Sequence, residues 1–288
     1  MAELLYGKPA ADALTAATRR RADMLREKDV LPRLMILRCG DNEADGAYIR
    51  GAMKRGGLCG VDMELRTLAE NVSTDELARV LEAVNSDNGI HGCLLLRPLP
   101  GHLKAMESKL CALLDPKKDV DGMTPVSAAG VFTGGGQGFP PCTAQACMAL
   151  LDYYHIDCAG KSAAVIGRSA VVGRPAAMLL LARNATVTVC HTGTKDVAAV
   201  TREADIIITA AGAAGSLTAA HVRPGQVVVD VSTNWNGVSL CGDAVFDDVS
   251  QIVEAITPVP GGVGAVTSAV LMAHTVRAAE YLTGEGGL

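Results

Sequence analysis

Two stretches of this 288-residue chain carry residue types and spacings that could do chemistry. In the first, Val165-Ile166-Gly167 ends an apolar run, and Arg168-Ser169-Ala170-Val171-Val172-Gly173-Arg174-Pro175 follows as the opening of a helix. Backbone N–H groups at a helix N-terminus suit a pyrophosphate, and glycines allow the tight turn that leads into it. The strict Gly-x-Gly-x-x-Gly fingerprint fails: Ser169 stands at the second glycine, and the next glycine comes one residue late. On pattern alone a dinucleotide site and a plain strand-to-helix turn are both open. One strand later the chain reads Cys190-His191-Thr192-Gly193-Thr194, with no acid before Asp196 to hold ribose hydroxyls. Arg168 can meet a 2′-phosphate as a charged, multi-donor partner, which favours NADP, with NAD as the alternative. His191, at a strand end, reads as a residue near the adenosine with no proton to move. In the second stretch, Tyr48 lies in a helical pattern and Asp121 precedes Gly122. Taken alone, these are a half-buried aromatic and a turn acid.

The elements that must position these residues follow an alternating order. Residues 33–38 read as a strand, 45–59 as a helix, 61–66 as an alternating strand, 74–86 as a helix and 92–96 as a buried strand. That order argues for a parallel sheet covered by helices on both faces. Residues 134–141, Gly-Gly-Gly-Gln-Gly-Phe-Pro-Pro, are the best linker. A helix at 143–154 leads into a second series, with strands at 162–166, 186–190, 205–209 and 226–230. These are nearly continuous apolar runs, as in strands buried on both faces. A last helix spans about 267–284. The fold class expected is α/β with two domains, the second Rossmann-like.

Composition narrows the partners. The net charge of −5 and the lack of any basic block of five argue against nucleic acid, and Arg19-Arg20-Arg21 reads as a solvated helix face. The nine cysteines show no Cys-x-x-Cys pair, which suits free thiols in a reducing compartment. His91, His102, His155, His221 and His274 form no metal-ligand spacing, so no metal site is expected. There is no basic region followed by an apolar run at the N-terminus, and no apolar stretch of about 18 residues. A soluble cytoplasmic protein with no membrane partner is expected.

Tyr48-Ile-Arg-Gly-Ala52, Lys118-Asp-Val-Asp121-Gly, Pro141-Cys-Thr143, Gly167-Arg-Ser-Ala-Val-Val-Gly173-Arg-Pro175 and Thr257-Pro-Val-Pro-Gly-Gly-Val-Gly264 occur in this order. Together they resemble the methylenetetrahydrofolate dehydrogenase/cyclohydrolase family, over about residues 5 to 285. The resemblance implies a folate-binding catalytic domain at 1–140 plus 267–288, to which the last helix returns, and an NAD(P)-binding domain at 141–266. It implies a homodimer, and tetrahydrofolate held against the nicotinamide in an interdomain cleft. Tyr48 would lie along the substrate, and Asp121 would hydrogen-bond the pterin; these two are the catalytic candidates. Leu96, Pro98, Pro260, Gly261 and Gly262 would line the substrate. The family carries the same serine-containing turn, which places the dinucleotide on Gly167, Arg168, Ser169, Val172 and Gly173. Thr143, His191, Thr192, Gly264 and Thr267 complete that set.

The departures are sharper than the matches. The family has a lysine where Ala52 stands, as acid/base of the cyclohydrolase step, and a glutamine that positions it in a Gln-Leu-Pro-Leu segment. Here that segment reads Leu96-Arg97-Pro98-Leu99. A positioned acid/base contributes roughly 10²–10⁴-fold to such steps, and neither Ala52 nor Leu96 can serve. Lys54 lies about 200° around a helix from position 52 and should face away. Arg97 would point to the opposite side from Leu96 if the segment is extended. Asp45, a serine in the family, is the candidate for a substitute carboxylate. The expectation is a dehydrogenase with cyclohydrolase activity lost or very weak. Still open are a bifunctional enzyme with a substitute acid/base, a non-catalytic folate- or dinucleotide-binding protein, and an oxidoreductase for a different cyclic amine or pterin.

Overall fold

The computed structural model describes residues 1–286, without the side chains of Glu43 and Ala44. In chain order it begins β1 (Glu3–Leu4), α1 (Gly7–Arg26), β2 (Arg33–Cys39), α2 (Glu43–Cys59), β3 (Asp62–Leu68), α3 (Thr74–Ser86) and β4 (Gly92–Leu95). Then come α4 (Glu107–Cys111), α5 (Pro125–Thr133), α6 (Cys142–Tyr153), β5 (Ser162–Ile166), α7 (Gly173–Ala182), β6 (Thr186–Cys190) and α8 (Val197–Glu203). The rest are β7 (Ile206–Thr209), β8 (Val227–Asp230), β9 (Asn234–Trp235), β10 (Leu240–Cys241), α9 (Phe246–Val249), β11 (Ala255–Ile256) and α10 (Gly264–Leu282).

The chain divides into two units. One comprises Ala13–Cys142 and the chain from Ser268 onward; the other comprises Met1–Asp12 and Thr143–Thr267. Met1–Asp12 therefore fall with the second unit. The reason is β1, which pairs in parallel with β11 through Glu3 and Ala255, and Leu4 and Ile256. A two-residue strand has no period to read, so only its pairing partner reveals it.

In the first unit, β2 lies between β3 and β4 in a parallel three-stranded sheet. Met35, Leu37, Cys93 and Leu95 pack on one face with Leu77, Val80, Leu81 and Val84 of α3. The alternate residues Leu34, Ile36 and Leu94 are buried too, as strands covered on both faces require. Ser73 starts α3 by accepting the Glu76 N–H at 3.2 Å, and Asp75 and Glu76 place negative charge in its first turn. β3 departs from the alternation read in its sequence. It is an edge strand, and residues 64–67 are all exposed.

In the second unit six parallel strands run in the order β1-β11-β8-β7-β5-β6. All four residues of β7 are buried, and so are four of five in β5, whereas β6 at the edge is largely exposed. An antiparallel β9–β10 ribbon was absent from the sequence reading. Its signal was the Asn236-Gly237 pair: the Asn236 side chain accepts the N–H groups of Val238 and Ser239 at 2.9 Å, and Gly237 has φ +96°.

Candidate active site

The order of the six-stranded sheet places a ligand site before any side chain is considered. From β5 the chain goes next to β6 on one side, and from β6 it crosses back to β7 on the other. The carboxyl end of β5 is therefore a topological switch point, where open parallel sheets leave a crevice for ligands. Gly167 stands there with φ +113°, and a Cβ on it would come 2.2 Å from the Ala210 carbonyl oxygen. A Cβ on Gly173 would come equally close to the Gly167 carbonyl oxygen. Both glycines are demanded by backbone packing around the turn.

The helix begins at Gly173, not at 168 as its sequence suggested, and residues 168–171 form an exposed loop. Ser169 explains why the second glycine is dispensable. Its exposed Oγ accepts the N–H groups of Val172 at 3.1 Å and Gly173 at 3.4 Å, so it caps the turn that a glycine would only permit. The backbone N–H groups of residues 168–171 have no intramolecular acceptor among the described residues. Unpaired N–H groups leading into a helix N-terminus suit a phosphate. Arg168 is exposed and makes no ion pair among the described residues. At the end of β6, Gly193 donates its N–H to His191 Nδ1 at 3.0 Å, and His191 donates its own to Thr194 Oγ1 at 3.0 Å. Thr192 is exposed beside them, and no acid reaches this turn until Asp196, which caps α8 through the Ala199 N–H. These features fit a dinucleotide carrying a 2′-phosphate.

The proline-glycine segment divides its glycines by task. Gly7 donates its N–H to the Gly261 carbonyl at 2.8 Å, and Gly261 has φ +108°. Gly262 packs so closely that a Cβ would lie 2.6 Å from the Pro258 oxygen. Gly264, at the start of α10, has open space where its Cβ would be. The close approach at Gly262 is thus spent on the chain itself, whereas Gly261 and Gly264 are exposed. Pro260 is exposed, Thr267 donates its hydroxyl to the Val263 carbonyl at 3.4 Å, and the Thr143 carbonyl accepts the Cys147 thiol at 3.4 Å.

In the first unit the Lys118-Asp-Val-Asp121-Gly segment builds a second constellation. Lys118 is buried, and its Nζ donates to the carbonyls of Val84, Asn85 and Asp87 at 2.6–3.0 Å, closing the C-terminal end of α3. Asp119 accepts the N–H groups of Met123 and Thr124 and the Ser127 hydroxyl, fixing the start of α5. The Val120 carbonyl takes the Cys142 thiol at 3.2 Å and His274 Nδ1 at 2.9 Å. Gly122 has φ +66°, and a Cβ there would lie 2.5 Å from the Phe139 carbonyl. Four of the five residues are consumed by architecture, and Asp121 remains, largely buried.

Around Asp121 stand Arg97, Cys142 and Tyr48. Burial pushes the Asp121 carboxyl up to about 6, against the pull of Arg97 and of the thiol and backbone N–H of Cys142. Arg97 Nη2 is 3.7 Å from Asp121 Oδ2, with both side chains about a fifth exposed (23% and 22%). This corrects the expectation that Arg97 faces away. β4 ends at Leu95, so strand alternation does not extend to residue 97, and Pro98 was the signal for that end. Tyr48 is 38% exposed, and its hydroxyl has no partner among the described residues. Burial, then Cys142 and Asp121, raise its phenol well above the usual range, so it stays a hydrogen-bond donor. Ala52 is 1% exposed; Leu96 is half-buried and Pro98 exposed. Lys54 is exposed, and Asp45 is half-buried with no ion pair among the described residues. Among these residues, too, no group of three or more His, Cys, Asp or Glu side chains is placed to hold a metal ion.

Known proteins share this architecture. Residues 5–121 match the family described as tetrahydrofolate dehydrogenase/cyclohydrolase, catalytic domain, and residues 141–283 match its NAD(P)-binding domain. The chain is 46% identical over 287 residues to the bifunctional protein FolD of Carboxydothermus hydrogenoformans, covering 99% of each chain. It is similar to the crystal structure of the bifunctional FolD of Campylobacter jejuni, with TM-score 0.93 and 38% identity over 97% of this chain and 99% of that one. The methylenetetrahydrofolate dehydrogenase-cyclohydrolase of Trypanosoma brucei, solved with NADP cofactor and inhibitor, gives TM-score 0.89 and 31% identity over 97% of both chains. With two family domains matched in order and such identity along its whole length, this chain belongs to the tetrahydrofolate dehydrogenase/cyclohydrolase family.

Proposed function

We propose that this chain is an NADP-dependent methylenetetrahydrofolate dehydrogenase that has lost the proton-transfer half of a bifunctional enzyme. It oxidises 5,10-methylenetetrahydrofolate to 5,10-methenyltetrahydrofolate. The observation that carries this reading is Ala52, buried one turn beyond Tyr48 where the family's lysine would stand. Bound dinucleotide supplies the hydride acceptor. The turn at Gly167–Gly173 holds its pyrophosphate with free N–H groups, and Arg168 meets its 2′-phosphate. Asp121 accepts hydrogen bonds from the pterin edge, Tyr48 lies along the ring and donates, and Leu96 and Pro98 give an apolar wall. Catalysis is mainly positioning of two reactants.

Hydride loss leaves a cationic methenyl product and no proton to remove, so this half-reaction needs no acid/base. A lysine ammonium about 4 Å from that cation would oppose it by up to about 4 kcal/mol at an effective dielectric of 20. Arg97 does not restore that penalty in full, because Asp121 pairs with its charge. The nine free cysteines support a cytoplasmic location, and the family likeness supports a homodimer, which sedimentation would read.

One observation favours a second reading. Asp121, pushed up to about 6, is near the pKa range suited to a general base at neutral pH, and the named relatives are bifunctional. The test is absorbance of purified protein with methylenetetrahydrofolate and either NADP or NAD, with reduced nicotinamide and methenyl product resolved spectrally at neutral pH, because acid would recyclise any hydrolysed product to methenyl. Equal yields of reduced nicotinamide and methenyl product, with NADP preferred, are expected. Methenyl consumption faster than its spontaneous hydrolysis would move the conclusion to the bifunctional reading.

A further inference from the structure

We propose that Arg97 is the positioning residue that keeps Asp121 in the state that receives the pterin, and so sets the lower pH limit of folate binding by this chain. The inference rests on the assignment of Asp121 to the pterin made above. It concerns a residue peculiar to this segment, since Arg97 occupies the position of the leucine in the family's Gln-Leu-Pro-Leu.

The chemistry starts from the ligand. A 2-amino-4-oxopyrimidine edge presents two adjacent N–H donors, and an ionised carboxylate, which only accepts, meets both. A protonated carboxyl turns one oxygen into a donor and loses half of that match. Asp121 is therefore useful only when charged, yet its setting works against charge. Burial is the largest influence on it, and Asp119, two residues away and engaged with the start of α5, adds a like charge. Tyr48 on α2 brings a neutral phenol, and Cys142 at the start of α6 brings an uncharged thiol and one N–H. His274 on α10 is held to the Val120 carbonyl and stays neutral, because burial takes it down to about 4. The positive charge facing Asp121 comes from Arg97, 3.7 Å away. That distance is too long for a direct hydrogen bond, so the guanidinium takes none of the carboxylate's lone pairs while its field still acts on the charge. An arginine suits the task because it cannot lose its proton in the relevant range.

Full-length protein carrying Arg97→Leu or Arg97→Lys tests this. KM for methylenetetrahydrofolate would be measured from pH 5.5 to 8.5, alongside calorimetric titration with tetrahydrofolate, which needs no turnover. In Arg97→Leu the acid limb of folate affinity is expected to move up by about one pH unit, weakening binding about fivefold at pH 6 and little at pH 8.5. The loss falls in KM more than in kcat, and Arg97→Lys stays close to the parent limb. An unmoved limb in Arg97→Leu overturns the proposal. So do equal losses in both variants at every pH, because the arginine would then act by shape and not by charge. Absent turnover with a normal calorimetric limb would sink the dehydrogenase reading and leave this one standing.

Discussion

Ala52 and Leu96 make the proposed loss of function a matter of two side chains. Ala52 sits in a buried position on α2, so a lysine introduced there would have its ammonium form disfavoured by desolvation. That is the environment a proton-transferring amine needs. The double variant Ala52→Lys, Leu96→Gln is expected to speed methenyl hydrolysis by about 10²-fold over the parent, followed as decay of methenyl absorbance. Ala52→Lys alone should give less, since nothing would orient the amine. No acceleration in the double variant would mean that the pocket around Asp121 has been reshaped beyond these positions. Asp121 was singled out through the resemblance; the arginine beside it was not. Arg97 reaches it because the strand stops two residues earlier, and a sequence gives the strand's direction more readily than its last residue.

Lys118 illustrates how elements hold the site without touching a ligand. Its buried ammonium satisfies three carbonyls where α3 ends, and this tethers the segment leading to Asp121. Lys118→Met keeps the length and the apolar stem but leaves those carbonyls without a donor. Urea denaturation should show a loss of about 2–4 kcal/mol. A loss below about 0.5 kcal/mol would mean that water replaces the amine at no cost. The turn between β5 and α7 is held differently, by absence of Cβ atoms. Gly167→Ala would force a side chain against the Ala210 carbonyl at a positive φ, and should weaken NADP binding measured by fluorescence titration at least tenfold. Unchanged affinity would show that the turn relaxes without moving the N–H groups of residues 168–171.

Across the folded chain, buried titrating groups oppose one another in acid. Burial raises Asp121 and Asp230 to about 6, so between about pH 4 and 6 the native state keeps protons that the unfolded chain has released. Their contribution favours folding toward acid and is lost as pH rises through about 6. His274 does the reverse. Burial holds it neutral down to about 4, whereas in the unfolded chain it takes a proton near its ordinary 6.5, so stability falls as pH drops through that window. The full effect is about 3 kcal/mol. His274→Gln should therefore lose less stability between pH 7 and 4.5 than the parent, by denaturant midpoints at both values. Parallel losses would mean that His274 does not govern the acid limb.

The strands read at 33–38, 162–166 and 186–190, the helix at 74–86 and a glycine turn after Ile166 were legible in the residues, because hydrophobic period and glycine placement are local properties. That Ala52 and Leu96 carry no group able to transfer a proton is legible for the same reason: a side chain's chemistry is a fact about one position. Pairing β1 with β11 depends on residues 252 positions apart, and so moves the N-terminus into the second unit. Setting Arg97 against Asp121 depends on where a loop turns after β4, and the state of Asp121 depends on what buries it. Those are contacts and solvent exclusion, which exist only once the chain has folded.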